Sequence, residues 1–313
     1  MESTSGRATS LTGPVLASLR RNLTESEPYQ RFLYRVAAVF AASVLLHAVV
    51  FVADDRPWIS PGSWRQPLAF SFGFVLVLPS LAWAMNFLPR RRRLGWALSA
   101  TLGVAALWEV FLIALQAWRG QPAFFPEEDL QFDQAVWMGM QIGIGFIVVA
   151  IVVETVWAFI SLRAPSSFRW AIWTGLVLMV AGLAMGGLMV AEGIRQEELG
   201  PVDSPIVFGR AGLVIFPHLL ALFGLLVFSV LAWLLSFAAL PERRRTGVLE
   251  LAIAGYVALV AVSLAQALQG RAPFDLTGFT AALFWISAAL FVGAAVVTFI
   301  LLRRAAQGPR VSG

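Results

Sequence analysis

The chain contains no lysine and no cysteine, and charged residues make up only 13% of its 313 positions against 59% hydrophobic ones. The missing cysteine excludes disulfides, thiolate nucleophiles, iron–sulfur clusters and Cys-based zinc sites together. The missing lysine excludes a G-x-x-x-x-G-K-S/T phosphate loop, and no H-E-x-x-H pair occurs. Only two histidines are present, so a zinc site would lack its third ligand at metal spacing. Residues 1–30 hold no apolar h-region of the kind a cleaved signal peptide needs. They are expected to form a polar, disordered cytosolic tail, matched by a short tail at 305–313.

A mean hydropathy of +0.78 fits no soluble class, and the solvent for most of the chain must be lipid. The all-arginine basic set is the usage of a high-GC bacterial genome. A sequence pI near 10.8 would suggest nucleic acid in a soluble protein. Here the arginines stand in short runs at the ends of apolar segments, which is a topology signal and not a nucleic-acid footprint.

A helix crossing about 30 Å of hydrocarbon needs about 20 mainly apolar residues. Eight segments meet this: 32–53, 67–88, 95–117, 135–162, 170–191, 213–239, 247–268 and 280–302. They lack the alternating ten-residue pattern of a barrel, so the fold class is an all-α integral membrane protein with eight transmembrane helices. With a cytoplasmic N-terminus, 17 of the 23 arginines fall on the inner side, including Arg90 to Arg93, Arg243 to Arg245, Arg303 and Arg304. The other side holds six arginines among eleven acids, including Asp54, Asp55, Glu127, Glu128, Asp129, Glu197, Glu198 and Asp203. The positive-inside rule then places both termini in the cytoplasm of a bacterial inner membrane.

Sliding the chain on itself by about 150 residues brings unlike chemistries into register. Pro67 meets Pro217, Leu81-Ala82-Trp83 meets Leu231-Ala232-Trp233, and Arg91 to Arg93 meet Arg243 to Arg245. With a small drift, Gln116 meets Gln269 and Arg119 meets Arg271. The expected organisation is a first half over 31–165 and a second over 166–304, each of four spans and therefore a parallel repeat.

Ionisable groups at membrane depth are costly and need a partner or water. Glu109 lies near the middle of the third span, Gln116 is seven residues on along the same face, and Arg119 closes the span. Arg65, Gln66, Asp133, Gln141, Glu192, Arg195, Gln266, Gln269, Arg271 and Asp275 also fall toward the outer side, while the inner half holds only Glu154 and Glu250 near its boundary. One reading is an outward-facing polar pocket between the halves. Glu109, Gln116, Arg119, Gln269 and Arg271 would bind a small polar or anionic ligand there, with Glu109 as counter-ion or proton carrier. The other is a set of hydrogen bonds and ion pairs that hold helices together. The acids at 127–129 read as solvated surface.

His47 and His218 lie at equal depth on different spans, which permits axial ligation of a b-type haem or simple hydrogen bonding at the headgroup boundary. Gly139, Gly143, Gly145, Gly182, Gly186 and Gly187 read as close helix packing. Trp58, Trp64, Trp118, Trp137 and Trp170 read as an aromatic belt.

The stretches Trp64-Arg65-Gln66-Pro67-Leu68-Ala69-Phe70-Ser71 and Leu115-Gln116-Ala117-Trp118-Arg119-Gly120, with Pro217-His218 opening a Leu-rich span, carry a resemblance. They resemble an uncharacterised family of bacterial multi-span integral membrane proteins with about eight helices. The resemblance implies a Gln-x-x-Arg-Gly closing the third span and a histidine pair opening the sixth, the second histidine five positions after the first. Phe223 stands at that second position, so a family histidine site would be incomplete in this chain. The resemblance implies no activity. Three classes therefore stay open: a transporter-like or ligand-binding protein, a membrane haem protein or enzyme, and a scaffold or assembly partner in the lipid bilayer whose polar pairs only hold its helices together.

Overall fold

The computed structural model describes residues 11–60, 62–126, 130–197 and 206–307. Among these residues the chain is all α-helical apart from a single 3-10 turn and one isolated bridge. A short helix α1 (Thr12–Thr24) precedes eight helices long and apolar enough to cross a membrane. They are α2 (Pro28–Ala53), α3 (Arg65–Ala84), α4 (Arg92–Arg119), α5 (Gln131–Ser161), α6 (Ser166–Glu197), α7 (Ile215–Ser236), α8 (Glu242–Leu268) and α9 (Gly278–Gln307).

α1 departs from the expectation of a disordered tail. Pro14 stands in its first turn, Leu16, Leu19 and Leu23 fall on one side, and the Trp233 indole of α7 donates to Ser18 Oγ at 3.0 Å. Residues 1–10 and 308–313, also read as tail, lie outside the described residues. The spans begin and end within two turns of where the apolar runs predict, α6 running furthest past its expected end, to Glu197. α2 starts four residues early because Pro28 suits a first helical position and the Glu27 amide donates to Gln30 Oε1 at 2.7 Å. Gln30 then donates to Ala82 O and Asn86 Oδ1, tying the start of α2 to the end of α3.

Several helix contacts within α2–α5 have a counterpart within α6–α9. α2 lies on α3 and α4 as α6 lies on α7 and α8, and α4 lies on α5 as α8 lies on α9. α3 meets α7 and α5 meets α6 between the two groups. Lipid tails are as apolar as leucine, so close backbone approach rather than the hydrophobic effect holds such helices together. A Cβ on Gly175 of α6 would collide with the backbone of Leu225 in α7, and one on Gly255 of α8 would meet Ser287 O and Phe291 N of α9. Gly139, Gly143, Gly182 and Gly186 also face neighbouring helices, but Gly145 and Gly187 face open space. α4 buries the largest share of its surface, and α2 and α9 the least. The exposed Leu45, Val49, Phe279 and Trp285 on those outer spans are lipid-facing side chains.

The bundle has two ends. One carries the α2–α3, α4–α5, α6–α7 and α8–α9 connections, called the loop face below. The other carries α1, the remaining connections and most of the arginines, called the arginine face.

Candidate functional site

At the loop face α4 and α8 end in the same way. Gly120 (φ +70°) and Gly270 (φ +73°) take the left-handed conformation that glycine adopts without penalty. The amides of Gly120 and Gln121 return to Ala117 O and Gln116 O, and those of Gly270 and Arg271 return to Ala267 O and Gln266 O, each a Schellman closure. These turns align Gln116 with Gln266 and Gly120 with Gly270 at a constant offset of 150. Gln116 does not match Gln269, nor Arg119 Arg271, because Arg119 precedes its glycine and Arg271 follows it.

That difference of two residues separates the two arginines. Arg119, in the last turn of α4, reaches across to Asp133 in the first turn of α5 and forms an ion pair with it. Its Nη1 also donates to Gln116 Oε1 at 2.5 Å, and Gln116 Nε2 donates to Asp133 Oδ1 at 3.1 Å and Pro122 O at 3.3 Å. The guanidinium lies over the Phe132 ring at 4.5 Å. Asp133 is 3% exposed and Gln116 is buried, whereas the Arg119 side chain keeps 37% of its surface. The network is therefore a buried acid and amide reached from the loop face through one arginine.

Arg271, outside the helix, bonds Asp275 Oδ2 at 3.4 Å and Thr277 Oγ1 at 2.9 Å. With Arg210 and Gln269 it lines an open concavity of about 600 Å³ on the loop face of the second group. Gln266 donates to Asp275 O at 3.1 Å and its Oε1 is buried without a partner. Among the described residues Arg119 and Arg271 bond different partners and only Arg271 lines the concavity, so the expected five-residue set divides into two places. Glu109, Gln116 and Arg119 belong to the α4–α5 seam, and Gln269 and Arg271 to the second concavity.

Glu109 is buried on the α4 face toward α5. Its Oε2 has no hydrogen-bond partner, and a Cβ on Gly143 would come within 3.1 Å of that oxygen. Gly143 thus leaves the room the carboxyl occupies. Arg119 pairs with Asp133 and not with Glu109. Seven residues of helix put Glu109 about 10 Å below Gln116.

The histidines occupy different helix pairs. His47 Nδ1 bonds Ser43 O at 2.9 Å, and its ring lies 5.9 Å from Trp64 and 6.5 Å from Trp118. His218 Nδ1 bonds Gly182 O at 2.7 Å. A carbonyl accepts, so each ring carries its proton on Nδ1 and leaves Nε2 with its lone pair. His47 Nε2 is buried without a partner. No hydrogen bond or ring contact links the two histidines among the described residues.

Trp64 is not part of an aromatic belt. It is 1% exposed, donates to Asp54 Oδ2 at 2.9 Å and lies under the Arg56 guanidinium at 4.1 Å. Arg56 Nη1 also donates to Ala117 O at 2.6 Å and Gly62 O at 2.9 Å, which fastens the α2–α3 loop over the end of α4. Hydrogen bonds from Arg56, then from Trp64, hold the Asp54 carboxyl below the usual aspartate range. The acids at 127–129, with Glu198 and Asp203, lie outside the described residues.

No protein-family model matches the chain, and no match was found among curated proteins or solved structures. The likeness to a family of multi-span bacterial proteins rests on the quoted residues alone.

Proposed function

We propose that this protein is a transporter-like bacterial inner-membrane protein that takes a small polar or anionic solute at its loop face and uses Glu109 as a proton carrier. One observation carries the reading: Glu109 is a buried, mid-span carboxyl whose Oε2 has no hydrogen-bond partner, one helix stretch below the Gln116–Arg119–Asp133 network. An unpaired carboxylate at that depth is expensive, and membrane proteins keep such groups where an ion or solute passes. The network above it offers one cation, one acid and one amide, enough to exchange partners with a polar solute.

Two further parts belong to the same proposal. The matched packing of α2–α5 and α6–α9 and the paired turns at Gly120 and Gly270 support a parallel duplication of four spans. The arginine bias supports cytoplasmic termini and an outward loop face. Orientation is directly testable because the natural chain is cysteine-free. A single cysteine at Ser60 should react with a membrane-impermeant maleimide added outside, and one at Ala164 should react only after permeabilisation. The reverse pattern would overturn the orientation.

The solute test is thermal unfolding of the detergent-purified protein with a panel of small carboxylates, phosphate and zwitterions. At least one should raise the midpoint in wild type, and Arg119→Ala and Glu109→Gln should each remove that rise. A panel without effect on wild type contradicts the reading.

A second reading, a haem-binding redox protein, is supported by the two Nε2 lone pairs of His47 and His218. A Soret band in the purified protein that disappears in both His47→Ala and His218→Ala would favour it, and a colourless preparation would remove it.

A further inference from the structure

All three buried carboxyl groups among the described residues, Glu109, Asp133 and Glu154, lie on the packed pair α4 and α5. They stand at three depths. Asp133 is at the loop face, Glu109 is level with Gly143, and Glu154 is eleven residues further along α5. Eleven residues are three turns, so Glu154 repeats the face of α5 that Gly143 turns to Glu109, about 16 Å nearer the arginine face. The α8–α9 pair has no counterpart, since Glu250 and Asp275 are exposed.

Glu154 has no surface exposure, and neither of its oxygens has a partner. One turn on, Trp157 Nε1 is a buried donor that is also unpartnered. An acceptor pair and a donor left open at one level leave a polar spot in an otherwise apolar seam. The titratable neighbour is Tyr29 of α2, which lies within electrostatic reach of Glu154 and packs on Gly95 of α4. At this level α6 presents the Trp173 indole, which is committed to Ala158 O at 3.2 Å. No arginine pairs with Glu154. Tyr29 also lines a small cleft of about 70 Å³ on the arginine face with Glu27, Gln30 and Arg90. Between Glu154 and Glu109 the seam is closed by Leu102, Ala106, Ile147 and Ile151, all buried.

We propose that Glu154 is a second proton-binding station, loaded from the arginine face past Tyr29, and that it and Glu109 stand on opposite sides of an apolar plug in the α4–α5 seam. This rests on the reading of Glu109 as a proton carrier and names the coupling ion as the proton. The step is simple protonation: a carboxylate oxygen takes a proton to give the neutral acid, and the proton leaves to the next station when the plug opens to water. A full-length transporter with one station would leave Glu154 without a role and its open hydrogen-bonding groups at full cost.

The test uses full-length protein in liposomes with entrapped pyranine and a potassium diffusion potential set by valinomycin. Wild type should carry protons above empty liposomes, Glu154→Gln should fall to the empty level, and Glu154→Asp should retain part of the flux. Infrared titration of wild type should show a neutral carboxylic-acid carbonyl band that is missing from Glu154→Gln, a readout that a packing role would not supply. Flux in Glu154→Gln equal to wild type, flux that requires sodium, or an unchanged infrared band overturns the proposal. If Glu154→Gln does not fold, the Glu154→Asp flux and the wild-type band against that of Glu154→Asp decide it. The solute-induced rise in unfolding midpoint should survive in Glu154→Gln. Loss of flux with the rise retained separates this station from the solute site, and a rise that survives in Arg119→Ala would instead fault the solute reading.

Discussion

Removing Arg119 should cost more than neutralising its partner. In Arg119→Ala the Asp133 carboxylate, 3% exposed in the wild type, keeps one side-chain donor, Gln116 Nε2, while Gln116 Oε1 loses its donor. Breaking a fully buried pair from one side costs about 3–5 kcal/mol. Arg119 is 37% exposed, so water reaches part of the pair and the figure should be discounted to about 2–3 kcal/mol. In Asp133→Asn the amide oxygen still accepts from Gln116 and the freed guanidinium turns to water, so the loss is one charge-assisted bond at the low, solvent-screened end, about 1.5 kcal/mol. An apolar pair, Arg119→Met with Asp133→Leu, removes both desolvated groups and should return to within about 1 kcal/mol of wild type. The assay is SDS-titrated unfolding in mixed micelles, followed by circular dichroism. An Asp133→Asn cost equal to or above that of Arg119→Ala, or an apolar double variant no more stable than Arg119→Ala, would refute the reasoning.

Two further outcomes follow from the fold. Gly175→Ala should lower stability by about 1–3 kcal/mol, because its Cβ would strike the Leu225 backbone, which cannot step aside. Gly145→Ala, facing open space, should be neutral or gain up to about 1 kcal/mol from helix propensity, and the same SDS titration separates the two. Asp54 gives a pH effect of definite sign. Its folded value lies below the unfolded aspartate value of about 3.9, so its contribution is present above that value and is lost as pH falls through the folded one. Asp54→Asn should therefore flatten the acid limb of unfolding midpoint against pH, and an unchanged limb would contradict the Arg56–Asp54–Trp64 account.

The eight spans were legible because lipid permits few solutions: a run of about 20 apolar residues has little choice but to cross as a helix. Glu109 and Gln116 were legible for the same reason, as costly groups at depth. What sequence spacing missed was decided by contacts between distant residues. Asp133 read as one outer polar residue among many until the helix ends brought it under Arg119. Trp64 sat where a belt tryptophan would sit, but Arg56 and Asp54 enclosed it. Arg119 and Arg271 looked equivalent by chemistry, although the glycine of each turn fixes the register and puts one inside its helix and the other beyond it. α1 was hidden by a mean composition that is polar, even though three leucines repeat at helical spacing. Glu154 looked like a boundary residue although the expected span ran past it to 162, because its complete burial is decided by the helices packed around α5, with Tyr29 of α2 within reach of it.

Proton exchange by Glu109 in the membrane is the central claim. The direct measurement is proton flux in liposomes holding wild type or Glu109→Gln, with the stability of each followed by SDS titration. Glutamine keeps the shape and removes the ionisable group, so the variant should be at least as stable as wild type and carry no protons above empty liposomes. A Glu109→Gln variant that conducts like wild type would contradict the account.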